Sequence, residues 1–336
     1  MSRFSSRFLR VKQTEWLIVL CVIPALSWGA DGSSQTVRRW LDRIAEANQR
    51  YSYQATFVYH CDKQLNALTL LHLGDERSPR GKLTSLTGPQ RELIQNASVF
   101  GSAFGGEGHP HLGRNGVAGS APGGVSASSD IDQYYTAVTH HGDRIAGRET
   151  DVVSIAPRDH FRYGYRLWLD RETGLALRSD MLDNTGEVVE QTMFVSVEFM
   201  SKEVVSAQFE TPPSAAAVAP KTGSPGTAPI AAEAGSTVAW RVDRAPMGFS
   251  VVGRVVHTGS PTHPHGNEQL VLSDGLASVS VFIESVANTR RSFVGKTHRG
   301  AVNAFGTTVD GRQVTVVGEV PIATVEMIGQ SIVQVH

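Results

Sequence analysis

The chain has 336 residues, of which 40% are hydrophobic and 19% are charged. These fractions are typical of globular proteins, so the composition excludes a fully disordered chain, and the length allows two domains with separate cores. The 31 Lys and Arg residues nearly balance the 32 Asp and Glu residues, which gives a formal net charge of −1. A chain this close to neutrality lacks the positive charge on which nonspecific nucleic-acid binding depends, so no nucleic-acid partner is expected.

The N-terminus has the three regions of a secretory signal peptide. Four basic residues precede an apolar run from Trp16 to Trp28, and small residues follow it. Ser27 and Gly29 occupy the −3 and −1 positions if cleavage follows Gly29. We therefore expect residues 1–29 to be a signal peptide that is removed on export. An uncleaved anchor is the alternative, although the apolar run is short for a membrane-spanning helix.

Cleavage would change both the charge and the cysteine content of the chain. The removed segment carries four basic residues and Glu15, so the net charge of the mature protein becomes −4. Cys21 is removed as well, which leaves Cys61 as the one mature cysteine. No internal disulfide can then form, so stability in an oxidising compartment must come from packing. Cys61 is interpreted as a half-buried strand or turn residue, with a reactive or intermolecular thiol as the alternative.

Two low-complexity segments divide the chain. Residues 210–235 are rich in Pro, Ala, Gly and Thr without apolar periodicity, which predicts a semi-rigid linker. Residues 101–130 are rich in Gly and Ser, and such a composition predicts a flexible loop inside the first domain. The predicted domains are therefore residues 30–209 and residues 236–336.

The first domain is predicted to begin with a helix and to continue as strands. Val37, Trp40 and Ile44 recur at helical spacing, which predicts an amphipathic helix from about Gln35 to Arg50. From Tyr51 onward the apolar period changes to two, as in "SYQATFVYH". Further strand-like segments follow with short turns and no crossover helix, so the strands are predicted to form an antiparallel meander.

The second domain is predicted to be a smaller α+β unit. Segments such as "FSVVGRVVH", "LASVSVFIES" and "RQVTVVGEV" have the composition and alternation of strands. The chain closes with "PIATVEMIGQSIV", in which Pro321 suits the first position of a helix. Ile322, Val325, Ile328 and Ile332 would line one face of that helix.

The segment from Tyr163 to Phe199 has the strongest strand pattern, with two turns, "DRETG" and "DNTG", that end in glycine. Counting by parity puts one apolar row on a single face of three strands. This row comprises Tyr163, Tyr165, Leu167, Leu169, Leu175, Leu177, Met181, Val189, Met193, Val195, Val197 and Phe199. The other face is largely polar, with Trp168 and Phe194 as apolar exceptions.

An apolar face of this size must be covered, and two interpretations stay open. The helix and neighbouring strands cover it as ordinary core, or the sheet curls without closing and leaves a hollow for an acyl chain or an apolar peptide. The candidate lining residues of such a hollow are Tyr53, Phe57, Tyr59, Tyr163, Tyr165, Leu167, Leu169, Leu177, Met181 and Met193.

Motifs for catalysis or cofactor binding are missing from the sequence. It contains no G-x-S-x-G and no H-E-x-x-H, and the "GKT" at residues 295–297 lacks the upstream glycine of a phosphate-binding loop. The histidine pairs in "GHPHLG" and "THPHGN" lack further ligands at zinc-site spacing. We expect no enzyme activity, no metal and no cofactor.

One basic segment is a candidate contact for a partner or for lipid phosphates. It contains Arg290, Arg291, Lys296 and Arg299 within ten residues. Guanidinium groups pair bidentately with carboxylates and phosphates, which gives the segment a recognition chemistry. A solvated surface loop is the alternative interpretation.

The segments "SYQATFVY", "LTSLTGPQRELIQN" and "DRIAGRETDVVSIAPRDHFRYGYRLWLDRETGLALRSDMLDNTGEVVEQTMF" resemble the RseB/MucB family of periplasmic regulators of the envelope-stress sigma factor. In the second domain, Trp240, "APMGF", "LVLSDGLASVSVFIE" and "VTVVGEVP" agree with the same family. The resemblance implies a first domain like the lipoprotein carriers, an antiparallel half-barrel with packed helices, joined to a smaller α+β domain. It also implies a periplasmic protein that holds an anti-sigma factor resembling RseA/MucA and shields it from proteolysis.

The resemblance further implies that lipopolysaccharide or another envelope lipid relieves this hold. A periplasmic carrier of lipids or lipoproteins, using the apolar hollow, is the rival interpretation. Such a carrier would have no need of the second domain. A homodimer is left open, because nothing in the sequence decides the oligomeric state.

Overall fold

The computed structural model of the chain describes residues 36–75, 79–88, 92–96, 130–210, 240–257, 267–285 and 292–335. The predicted signal peptide and nearly all of the segments 101–130 and 210–235 lie outside these residues. Every described residue belongs to one compact unit, Ser34–His336.

The described residues up to Glu210 form nine strands and three helices. Their bounds, in chain order, are α1 (Val37–Arg50), β1 (Ser52–Cys61), β2 (Gln64–Leu73), β3 (Arg80–Ser85), β4 (Glu92–Asn96), α2 (Ile131–Tyr134), β5 (Tyr135–Ile145), β6 (Arg148–Pro157), β7 (Gly164–Asp170), β8 (Ala176–Leu182), β9 (Val188–Met200) and α3 (Lys202–Glu210).

These nine strands form one antiparallel sheet in the order β4-β3-β2-β1-β9-β8-β7-β6-β5. Two meanders meet where β9 pairs with β1. The sheet is curled, because β5 approaches β9 although three strands separate them in the hydrogen-bonded order. The two edge strands, β4 and β5, do not pair with each other, so the curl does not close. The predicted class, α+β with an antiparallel half-barrel and packed helices, is confirmed.

Helix α1 begins two residues later than predicted and covers part of the sheet. The Thr36 hydroxyl accepts a hydrogen bond from the backbone N–H of Arg39 at 3.4 Å, and the Asp132 carboxylate accepts one from the N–H of Val37 at 2.6 Å. Both bonds satisfy amide groups that a helix start leaves without partners. Trp40 and Ile44 are buried one turn apart, in one apolar cluster with residues of β6 and β7.

The turns of the strongest strand segment have the predicted conformation. Gly174 ends the β7–β8 turn with φ of 78°, and Gly186 ends the β8–β9 turn with φ of 86°. Backbone angles of this kind favour glycine, because a side chain would crowd the adjacent carbonyl.

The predicted apolar row is wrong in β9. Phe194, expected on the polar face, pairs with Phe57 and is only 2% exposed, whereas Val195, expected in the apolar row, is 56% exposed. A register shift between Thr56 and Phe57 in the β1–β9 pair explains the exchange. A β-bulge adds one residue to a strand and therefore moves every later side chain to the opposite face.

A second register shift occurs between Trp168 and Leu169, where β7 pairs with β8. Trp168 was expected on the polar face, but it is buried in the same apolar cluster as Leu177. Both predicted apolar exceptions, Trp168 and Phe194, are therefore buried in this cluster.

The described residues from Trp240 onward form a smaller α+β unit. Its elements are β10 (Trp240–Val242), β11 (Ser250–His257), β12 (Asn267–Ser273), β13 (Ser278–Ser285), β14 (Gly295–Arg299), β15 (Val302–Val309), β16 (Arg312–Gly318), α4 (Ile322–Gly329) and β17 (Ile332–Gln334).

Six of these strands form an antiparallel sheet in the order β11-β12-β13-β16-β15-β14, while β10 pairs with β17. Helix α4 packs its buried Val325 and Ile328 into the core of this sheet, as the closing apolar pattern predicts. The prediction for Ile332 is wrong, because the helix ends at Gly329 and Ile332 begins β17. Pro321 precedes the first helical residue as the N-cap rather than occupying the first helical position. None of the helices among the described residues is long and apolar enough to cross a membrane.

Candidate binding site

The ten residues predicted to line a hollow divide between two apolar clusters. The first cluster contains Tyr53, Phe57, Tyr59 and Leu177, and Met193 packs against it. The second cluster, which includes residues of α1, contains the other five, namely Tyr163, Tyr165, Leu167, Leu169 and Met181. All except Met193 are buried. These side chains form packed core, and a role in ligand binding stays a prediction for all ten.

One end of the first cluster is polar. The rings of Tyr53 and His72 stack with centroids 4.8 Å apart, and His72 Nε2 lies 2.8 Å from the Asn48 carbonyl oxygen. Burial lowers the pKa of His72 to about 4, so the ring is neutral and Nε2 donates to that oxygen. Among the described residues, His72 Nδ1, the Tyr53 hydroxyl and the Asn48 side-chain amide have no hydrogen-bond partner. Buried polar atoms favour a partner, so a ligand with hydrogen-bonding groups would match this end.

The two sheets meet at a fully buried arginine. Arg162 lies between β6 and β7, and its Nε donates to Asp274 Oδ2 at 2.6 Å. Asp274 lies between β12 and β13, and both side chains of this ion pair are fully buried. The other guanidinium nitrogens donate to the Asp159 carboxylate and to the Met247 carbonyl oxygen. We call this group, Arg162 with Asp274, Asp159 and Met247, the arginine junction.

Aromatic rings enclose the guanidinium of the arginine junction. Its central carbon lies 4.8 Å from the ring centroid of Tyr134 and 4.9 Å from that of Phe249. Tyr135 completes the enclosure at 5.7 Å and donates its hydroxyl proton to Asp274 at 3.0 Å. Cation–π contacts and charge-assisted hydrogen bonds therefore act together on one desolvated charge. Such a group specifies one arrangement of the two sheets, because any other arrangement would leave the charge buried without its partners.

Further hydrogen bonds join the sheets beside the arginine junction. The Asn303 amide donates to the Tyr163 hydroxyl at 2.9 Å, and the Thr324 hydroxyl donates to the Phe161 carbonyl at 2.6 Å. At the far end of β1, the Asp62 carboxylate accepts a hydrogen bond from the backbone N–H of residue 300 at 3.0 Å. The junction between the sheets thus combines directional hydrogen bonds with the apolar contacts of Ala301 and Leu276 in the second cluster.

A buried carboxyl group lies near the same junction. Burial raises the pKa of Glu190 in β9 well above its usual range, and the charge of Glu319, which follows β16, adds to the rise. Hydrogen bonding to Tyr59 opposes this effect. Cys61, at the end of β1, is half-buried as predicted, and burial raises the pKa of its thiol. A protonated thiol is a poor nucleophile, which disfavours the reactive alternative for Cys61.

The basic candidate segment is only partly described. Arg290 and Arg291 lie outside the described residues. Lys296 in β14 forms an ion pair with Glu326 of α4 at 2.7 Å, and Arg299 at the end of β14 is exposed. The charge of Lys296 is therefore engaged within the chain, and a contact with a partner or a lipid phosphate stays a prediction for all four residues.

The sequence does not predict the arginine junction, although the segments that form it carry the family resemblance. Arg162 comes from "RDHFRYGYR", Met247 from "APMGF" and Asp274 from "LVLSDGLAS". All three segments were part of the family resemblance, but none has a recognisable motif by itself. The signal that could have found the junction is the presence of charged or aromatic residues in signature segments from both parts of the chain.

Two family models match the chain in succession. The model of the MucB/RseB N-terminal domain matches residues 36–216, and the model of the MucB/RseB C-terminal domain matches residues 234–333. Together they span both sheets and the residues of the arginine junction.

Individual relatives match over nearly their whole length. The chain is 32% identical to the sigma factor AlgU regulatory protein MucB of Pseudomonas aeruginosa, over 93% of this chain and 94% of the relative. It is 25% identical to the sigma-E factor regulatory protein RseB of Escherichia coli, over 94% and 97% respectively. A crystal structure of MucB in complex with MucA(peri) superposes with a TM-score of 0.62 at 27% identity, covering 89% of this chain and 98% of that chain. The chain belongs to the MucB/RseB family.

Proposed function

We propose that this protein is a periplasmic regulator that binds the periplasmic segment of a membrane anti-sigma factor resembling RseA/MucA and shields it from proteolysis. The observation that carries the proposal is the likeness to MucB in complex with MucA(peri), which extends over both sheets. The relatives with matching length are named as sigma factor regulatory proteins. Regulation of a sigma factor by binding its inhibitor requires no catalysis, which agrees with the expected lack of enzyme activity.

The arginine junction supports a binding role that uses both parts of the chain. Because Arg162 and Asp274 are fully buried and paired, the two sheets present their surfaces in one fixed arrangement. A partner that contacts both sheets then meets a preorganised surface, which lowers the entropic cost of binding. We retain residues 30–209 and 236–336 as the two domains, with residues 210–235 as their linker.

Localisation in the periplasm is part of the same proposal. Its support is the N-terminal pattern of basic residues, apolar run and small residues, with cleavage after Gly29. N-terminal sequencing of the protein purified from the periplasm tests this directly. A mature N-terminus at Ala30 is expected, and recovery of the full chain in the membrane fraction would favour an uncleaved anchor.

Envelope lipid is the proposed signal that releases the anti-sigma factor, and a lipid or lipoprotein carrier is the second candidate function. The specific observation that favours a lipid ligand is the polar end of the first cluster. There the Tyr53 hydroxyl and His72 Nδ1 lack partners among the described residues, next to buried aromatic and aliphatic side chains. An acyl chain with a hydrogen-bonding head group combines the same two chemistries.

The proposal is tested by titrating the purified mature chain with the periplasmic segment of its cognate anti-sigma factor, with and without lipopolysaccharide. We expect tight binding in lipid-free buffer and weaker binding when lipid is added. Absence of binding in lipid-free buffer would overturn the regulatory function. Lipid binding without any binding of the anti-sigma segment would favour the carrier, and size-exclusion chromatography of the same samples decides whether a homodimer forms.

A further inference from the structure

A cavity of about 600 Å³ lies where the β6–β7 connection meets the β8–β9 turn. It is lined by residues 154–160, 164–166 and 182–186. Cavities of roughly 300–1,000 Å³ are typical of sites that hold small ligands or single side chains of a partner. None of the candidate residues derived from the sequence except Tyr165 contributes to it.

Two arginines of this cavity have no partner within the described part of the chain. Arg158 and Arg166 are both exposed, and neither guanidinium forms a hydrogen bond or an ion pair with a described residue. Their neighbours differ in this respect, since Arg162 pairs with Asp274 and Arg178 pairs with Asp180. The two guanidinium groups are therefore available to an anion that enters the cavity.

The charged groups of the lining that remain available favour an anion. Asp159 lines the cavity, but its carboxylate is paired with the guanidinium of Arg162. The carboxylate of Asp183 accepts hydrogen bonds within its own turn, which lower its pKa. Both carboxylates are thus engaged within the chain, whereas the guanidinium groups of Arg158 and Arg166 are free to pair with a carboxylate of a ligand.

The remaining lining fits a peptide. Asn184 and Thr185 are exposed residues of the lining, and the side-chain oxygen of each can accept a further hydrogen bond beside the one that the side chain donates within the chain. An extended peptide presents alternating side chains together with backbone donors and acceptors. An acidic side chain could pair with the arginines while backbone N–H groups of the peptide donate to these side-chain oxygens.

We propose that this cavity binds an acidic side chain of an extended peptide, and that Arg158 and Arg166 pair with its carboxylate. This inference rests on the proposed function, because it takes the peptide to be the periplasmic segment of the anti-sigma factor.

The test uses the full mature chain and a fluorescently labelled synthetic peptide that covers the periplasmic segment of the cognate anti-sigma factor. Binding is measured by fluorescence anisotropy for Arg158→Gln, for Arg166→Gln and for the double variant. Arg39→Gln is the matched control, because Arg39 is exposed on α1 and its replacement removes the same charge away from the cavity. Circular dichroism and thermal unfolding check that every variant keeps the wild-type fold.

We expect each single variant to weaken binding about tenfold and the double variant to weaken it more, as for loss of charge-assisted hydrogen bonds. The control should change the dissociation constant less than about twofold. Replacing the acidic residues of the peptide one at a time by their amides identifies the partner carboxylate. One such replacement should weaken binding to the wild-type chain and have no further effect on the double variant.

The outcomes separate this inference from the function on which it rests. If the wild-type chain fails to bind the peptide, the proposed function and this inference are both wrong. If the wild-type chain binds and the double variant binds equally well, this inference alone is wrong. Vesicles that contain anionic phospholipid form a further arm. Loss of vesicle binding by the double variant, with unchanged peptide affinity, would assign the cavity to a lipid phosphate and overturn the inference.

Discussion

The arginine junction predicts a large loss of stability when its guanidinium is removed. Arg162→Met keeps a side chain of similar length but leaves the Asp274 carboxylate, which is fully buried, without the guanidinium that lies 2.6 Å away. Breaking a buried ion pair by removing one partner costs about 3–5 kcal/mol. This is a large share of the roughly 5–15 kcal/mol that stabilises a typical domain, so the variant should unfold at much lower denaturant concentration.

The loss should be partly reversed by a second substitution. Asp274→Asn in the Arg162→Met background removes the buried negative charge. In the wild-type protein, Asp274 Oδ1 accepts hydrogen bonds from the backbone N–H groups of residues 276 and 277 at 2.9 and 2.7 Å. The side-chain carbonyl oxygen of the asparagine can still accept both bonds. The double variant should therefore be more stable than Arg162→Met alone. This reversal is specific to an uncompensated charge and would not follow a simple packing defect.

Urea unfolding of the mature chain, followed by tryptophan fluorescence and circular dichroism, measures both effects. Trp168 reports on the nine-stranded sheet and Trp240 on the smaller unit, so loss of the junction should also separate a single transition into two. Arg241→Met is the control, because its ion pair with Asp243 is exposed and should contribute less than about 1 kcal/mol. If Arg162→Met changes the free energy of unfolding no more than this control, the reasoning about the junction is refuted.

Three further predictions concern other parts of the fold. Gly248→Ala should destabilise the protein by about 1–3 kcal/mol in urea unfolding. The backbone φ of Gly248 is 88°, and a Cβ atom there would lie 2.4 Å from the Tyr134 ring. Wild-type stability of the variant would contradict the packing of Tyr134 against Gly248. Burial raises the pKa of Glu190, so the folded state binds the proton of this carboxyl group more tightly than the unfolded state does. Protonation of Glu190 therefore stabilises the fold at low pH, and this contribution is lost as pH rises above about 4.3 towards the raised pKa. Glu190→Gln should therefore flatten the dependence of unfolding free energy on pH in this range, and an unchanged slope would contradict the assignment. Phe194→Ala should cost about 3–5 kcal/mol and Val195→Ala less than about 0.5 kcal/mol, and the reverse order would contradict the bulge in β9.

Much of the fold could be predicted because its signals are local. The helical spacing of Trp40 and Ile44 indicated α1, and the turn glycines at 174 and 186 indicated the short β7–β8 and β8–β9 connections. The faces of β9 could not be predicted in the same way. Met193, Phe194 and Val195 are all apolar, so the sequence there does not reveal which strand position carries the extra residue of the bulge.

The candidate site was harder to predict because its parts are distant in sequence. Arg162 and Asp274 are separated by 112 residues, and their pairing depends on how the two sheets pack. Arg162 lies in a short connection, where a charged residue ordinarily suggests solvent exposure. Its complete burial follows from three aromatic rings and two carboxylates that come from both parts of the chain.

The central claim is that the mature protein shields an anti-sigma factor from proteolysis. The most direct test is the cleavage rate of the periplasmic segment of the cognate anti-sigma factor by the protease that initiates its degradation, measured at increasing concentrations of the mature chain. We predict that the rate falls steeply as the protein approaches equimolar concentration and recovers when envelope lipid is added. A cleavage rate that is independent of the protein at saturating concentration would contradict the claim.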